Sequence, residues 1–164
     1  TMTRHIYRII YIIFFLVIVV IESLLVAEET NTPEKRFYGF GFKVTVNTDI
    51  KICSRSPIED FELYSFSLKE IDFLYAYSGN QPEYPKLATN SINKNKIILG
   101  ESGLSAECFE WQNEGQKYSR ESIIYFGKET PSPQYVHFWY DKVNLEEKKR
   151  ADKIIFSTLR FNDL

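Results

Sequence analysis

Phe61-Glu-Leu-Tyr-Ser-Phe-Ser-Leu68 and Ile71-Asp-Phe-Leu-Tyr-Ala-Tyr77, separated only by Lys69-Glu70, are two aromatic-rich runs in which apolar and polar residues alternate. A period of two with aromatic enrichment is the pattern of a half-buried strand, and a two-residue spacer joins such strands as an antiparallel hairpin. Lys-Glu is not the Asn-Gly type that a tight hairpin turn prefers, so the pairing is read from the flanks and not from the turn.

Upstream, the same period runs through Phe40, Phe42, Val44 and Val46 from Phe37 onward and stops at Asn47-Thr-Asp49. A short strand follows over Ile50 to Cys53, ended by Ser54-Arg-Ser-Pro57. Downstream, Ser78 to Pro85 is a loop by its Gly and Pro content, and the weakly patterned Lys86 to Lys94 is short helix or coil. Strands are expected at Lys96–Leu99, Ser105–Gln112 and Ser122–Phe126, with Gly100, Gly103, Gly115 and Gly127 supplying turns, and again at Gln134–Tyr140 after Thr130-Pro-Ser-Pro133. The helical signal begins at Asn144. Glu147 stands three residues on, as in a capping box, and Ala151, Ile154, Ile155 and Leu159 recur on one face. The expected fold is α+β: a mostly antiparallel sheet with a C-terminal helix packed on one face.

Ahead of this domain lies Ile9-Ile-Tyr-Ile-Ile-Phe-Phe-Leu-Val-Ile-Val-Val-Ile21, preceded by Arg4 and Arg8 and followed by Glu22. A basic flank before a short apolar core is the pattern of an export signal, and extension through Ala27 makes it a marginal membrane anchor. Residues 1–27 are therefore expected to be a signal peptide or single-pass anchor helix, residues 28–36 a polar tether, and 37–164 an exported domain. The flanking charges place the domain outside, in the periplasm or facing it from the inner membrane. Ala27 is a cleavage candidate, with Leu25 large for the −3 position.

Past residue 27 the chain has 18 Lys/Arg against 21 Asp/Glu, a balance that offers no basic stripe for nucleic acid. The same portion holds 11 Phe, 9 Tyr and 2 Trp, more rings than one core face accommodates, so some are expected outside it. Cys53 and Cys108 are the only cysteines, and an exported context leads us to expect them paired as a disulfide. Their spacing fits neither a metal knuckle nor a redox pair, and no cofactor is implied.

Catalytic patterns are sparse. His137 is the sole imidazole of the domain, on a strand that puts Tyr135, His137 and Trp139 on one face and Val136, Phe138 and Tyr140 on the other. No Gly-x-Ser-x-Gly elbow accompanies it. Glu59-Asp60, Glu107, Glu110 and Glu114 are the carboxylates from which a paired-acid hydrolase site would have to be drawn. The stronger candidate is a partner-binding surface made of Trp111, Tyr118, Tyr135, His137 and Trp139.

The ending, a strand Tyr135–Tyr140, an acidic helix start and then Ala151-Asp-Lys-Ile-Ile-Phe-Ser-Thr-Leu-Arg-Phe161, resembles that of PsbP/Mog1-like domains of small bacterial envelope proteins. The likeness covers roughly the last 30 residues and carries no functional residue across. It implies binding and adaptor roles more than catalysis, and some exported immunity proteins look broadly similar. Together these readings lead us to expect a non-catalytic envelope protein that binds a protein, in one version an immunity protein occluding a periplasm-acting toxin. A small-ligand or lipid carrier is the alternative, and a two-carboxylate envelope hydrolase the third.

Overall fold

The computed structural model describes residues 32–58, 60–82, 93–100, 102–128 and 133–161. The apolar segment 9–21, the Ala27 junction, residues 28–31 of the tether, Glu59 and residues 86–92 lie outside the described residues. Among the described residues no helix is long and apolar enough to cross a membrane.

Within the unit Glu34–Leu164, the chain forms strands β1 (Glu34–Tyr38), β2 (Phe42–Asn47), β3 (Lys51–Ile58), β4 (Phe61–Leu68), β5 (Ile71–Gly79), β6 (Asn93–Ile98), β7 (Ser105–Asn113), β8 (Lys117–Tyr125) and β9 (Tyr135–Val143). Helix α1 (Leu145–Phe156) and the short β10 (Leu159–Arg160) complete it. Seven strands make one antiparallel sheet in the order β3-β4-β5-β9-β8-β7-β6, and β1-β2-β10 make a second, also antiparallel. The mostly antiparallel sheet with a C-terminal helix is as the sequence pattern predicts.

The opening hairpin is where the sequence places it, with Leu68 opposite Ile71. Lys69 and Glu70 both hold positive φ, 51° and 66°, as the right-handed twist of the flanking strands requires of a two-residue turn. Side chains there are strained, because Cβ crowds the neighbouring carbonyl. Replacing Lys69-Glu70 by Asn-Gly should therefore stabilise the domain by about 1 kcal/mol in a denaturant titration. The exposed Lys51–Glu70 contact that is lost contributes little. A net loss of stability would refute this account of the turn.

The amino-terminal expectation needs correction. Strand β1 starts at Glu34, inside the segment read as tether, and the run from Phe37 to Val46 is two strands folded back on each other. Gly39-Phe-Gly41 makes the corner. Gly41 has φ +74°, and a Cβ there would fall 2.4 Å from the Pro133 ring. The corner is pinned to the large sheet by both backbone groups of Phe40, whose N–H donates to Tyr64 Oη (2.6 Å) while its carbonyl accepts from Ser78 Oγ (2.5 Å). Alternation alone cannot distinguish a long strand from a hairpin whose corner keeps the period.

The core lies between the inner face of the large sheet and the layer formed by β2 and α1. Phe42, Val44 and Val46 from β2 meet Tyr64 and Phe66, Leu74 and Ala76, and Val136 and Phe138 from the sheet. Phe42 stands edge-on to Phe138, with centroids 5.9 Å apart. From α1, Ala151, Ile154 and Ile155 are buried against it. Asn144 caps that helix with the reciprocal Glu147 contact expected of a capping box. At its other end Ser157 Oγ accepts from Thr45 N–H (2.8 Å), tying the helix to β2.

Beside this core is a polar cluster that the sequence did not announce. Arg120 on β8 is 6 % exposed, and its guanidinium meets Asp152 of α1 at 2.7 Å and Glu110 of β7 at 2.9 Å. Tyr140 donates to the same Asp152 oxygen at 3.0 Å, and Lys148 pairs with the other. Burial opposes Arg120's charge, but Asp152, Tyr140 and Glu110 outweigh it and raise its pKa. Burial, then Asp152, pushes the Tyr140 phenol well above its ordinary value, so it stays a donor.

The expected disulfide does not form. Cys53 is exposed on β3 and Cys108 is buried on β7, and both are free. Five strand steps separate them in the sheet, about 24 Å at the usual spacing, whereas a disulfide needs Cα atoms within about 7 Å. Cys108 instead meets Ser122 Oγ at 3.3 Å, and burial pushes its thiol pKa up. Even count and export were the grounds for pairing, and neither contains the strand order.

Candidate binding face

The face of the large sheet turned away from α1 and β2 is ordered by register. One row crosses all seven strands as Cys53, Ser65, Tyr75, Trp139, Glu121, Phe109 and Lys94. The next row is Arg55, Leu63, Tyr77, His137, Ile123, Glu107 and Lys96. Tyr135 opposite Tyr125 begins a third. Because side chains at i and i+2 share a face, the rows form one continuous surface.

Its middle is aromatic. Tyr75 and Trp139 stack across β5 and β9 with centroids 5.7 Å apart and planes 16° from parallel. Tyr125 and Tyr135 approach to 4.8 Å, and Trp139 lies 5.3 Å from the His137 ring. Tyr75, Tyr77, Tyr135 and Trp139 are all half-buried. Burial, then the charge of Asp72, raises the Tyr75 pKa. Toward the β6 edge, Lys94 pairs with Glu107 at 2.7 Å and sits 5.5 Å from the Phe109 centroid.

Beside the rings in the same rows lies a buried polar pair. Glu121 is fully buried and His137 is 1 % exposed, with Nε2 and Oε2 3.3 Å apart. That separation suits an ion pair, but the atoms are off the hydrogen-bonding direction and His137 Nε2 has no hydrogen-bond partner. A fully satisfied core histidine does not look like this.

The five sequence candidates divide. Tyr135, His137 and Trp139 share the outer face, as alternation along β9 predicts. His137, however, is buried beside the Trp139 ring and does not front the surface. Trp111 opposes Ser119 two residues beyond Phe109, at one end of this face. Tyr118 packs against the core, with the Lys148 ammonium 5.8 Å from its centroid. It meets Trp111 only around a hollow of about 250 Å³ at the sheet end, together with Glu110 and Lys148. Tyr75, Tyr77 and Glu121 were missed: alternation in the hairpin places the tyrosines opposite Leu74 and Ala76, but only the non-local β5–β9 pairing sets them beside Trp139.

The carboxylate candidates do not converge. Glu107 and Glu110 fall on opposite faces of β7 and each meets a cation, Lys94 and Arg120 respectively. Asp60 and Glu114 are exposed in turns. Among the described residues no cluster of three or more His, Cys, Asp or Glu is placed to hold a metal ion. Compared with known proteins, the chain matches no family model, no curated protein and no solved structure.

Proposed function

We propose that this domain is a non-catalytic binding protein whose outer sheet face docks a protein partner. The observation that carries the reading is the aromatic centre of these rows, with Tyr75, Tyr77, Tyr135 and Trp139 turned away from the core. Half-buried tyrosine and tryptophan with charged residues at the margin are the composition of an interface hot spot. Among the described residues the helix and the small sheet pack on the other side, against the inner face. If the segment before residue 28 exports the chain, the partner is an envelope protein. An immunity protein covering the active site of a periplasm-acting toxin is one concrete form, since occlusion needs shape and a few anchors, not chemistry.

Trp139→Ala should weaken the complex by about 2 kcal/mol or more, roughly thirtyfold, while far-ultraviolet circular dichroism and unfolding remain cooperative. Tyr118→Ala, on the other side of the sheet, should leave affinity nearly unchanged. Wild-type affinity in a folded Trp139→Ala variant would remove the face from the account.

A further inference from the structure

We propose that the hollow between β3, β4, β5 and β9 on the outer face is a saccharide subsite that seats one neutral pyranose ring. The hollow measures about 190 Å³, the space of roughly six waters, which suits one ring and not an extended lipid chain. Tyr75 and Trp139 line it together with Cys53, Leu63 and Ser65, beside Arg55 and Asp72.

The Arg55 side chain is exposed and makes no ion pair or hydrogen bond with another described residue. Asp72, also exposed, accepts from Ser67 and has no cation paired to it among the described residues. The two oppositely charged groups border the same hollow without pairing with each other.

That combination selects the ligand. A carboxylate seated on Arg55 would face Asp72, and a cation seated on Asp72 would face Arg55. A polyhydroxyl ring meets both at once, its hydroxyls donating to Asp72 and accepting from Arg55. Its C–H face lies against an aromatic ring, whose negative π-face attracts the weakly positive hydrogens. Hydrogen bonds to charged partners give such a site its orientation, and the aromatic wall gives it contact area. The subsite does not depend on the protein-docking reading, although Trp139 belongs to both.

The test uses the full chain carrying Trp111→Phe, so that Trp139 is the only tryptophan and its fluorescence reports on this hollow. Diacetylchitobiose and lactose are the neutral probes, with free glutamate and arginine amide as charged controls. A saturable response to at least one neutral sugar in the millimolar range is expected. Arg55→Gln and Asp72→Asn should each weaken it about tenfold, and Lys96→Gln, exposed on β6 at the far edge of the sheet, should leave it unchanged. No saturable response to either sugar, a response confined to a charged control, or sugar binding that Arg55→Gln and Asp72→Asn both leave intact would overturn the proposal. Arg55 and Asp72 lie outside the aromatic centre, so loss of sugar binding in their variants with protein capture intact separates the two readings.

Discussion

Arg120→Ala is expected to destabilise the domain by about 3–5 kcal/mol, among the largest effects of any single replacement here. The guanidinium is the common partner of Glu110 on β7 and Asp152 on α1, and it is almost fully buried. Removing it leaves two carboxylates close together in a site with little water, one of them still facing the Tyr140 hydroxyl. Lys148 lies 4.0 Å from Glu110 and pairs with Asp152, but it is partly solvated and replaces the lost charge only in part. The penalty arises from stranded charge and not from lost attraction, which gives a second variant its value. Arg120→Met combined with Asp152→Leu removes both members of the helix–sheet pair and should recover part of the loss. Urea titrations of both variants check the pair of outcomes. A single variant within about 0.5 kcal/mol of wild type would mean that water already reaches the cluster.

Phe138→Ala is expected to cost a similar amount, about 3–5 kcal/mol, by a different route. Phe138 is fully buried on β9, whose neighbours β5 and β8 are themselves internal strands, so little around the ring is free to collapse into the space. It also meets Phe42 edge-on, one of the contacts that join the small sheet to the large one. A double-mutant cycle with Phe42→Ala should return a coupling of about 0.5–1.5 kcal/mol. Additive losses would show that the two rings fill space without acting as a pair.

The contrast between these two residues shows what was legible in the sequence. Phe138 was assigned to the face opposite Trp139 by alternation alone, and the structure places it there. The hairpin Phe61–Tyr77 and the cap at Asn144 were equally visible, because each is a local pattern in which neighbouring residues determine the geometry. Arg120 carried no such signal: its partners are 10 residues back on β7 and 32 residues ahead on α1, and strand pairing brings them together. The same holds for Tyr75 beside Trp139, and for Cys53 and Cys108, whose separation follows from strand order. Local period gives the face of a residue, whereas the identity of its neighbour across the sheet is a property of topology. Half of the candidate face was therefore readable on β9, and the half contributed by β5 and β8 was not.

The central claim, that the outer sheet face docks a protein, is tested most directly by photocrosslinking. A photoreactive phenylalanine analogue replaces Tyr77 in one full-length variant and Phe156, exposed on α1, in another. Each is irradiated in the solubilised envelope and captured through a C-terminal tag. The account predicts one discrete protein adduct from position 77, absent from position 156 and lost when Trp139→Ala is added. An adduct from position 156 alone, or none from position 77 in protein whose fold is intact, would contradict it.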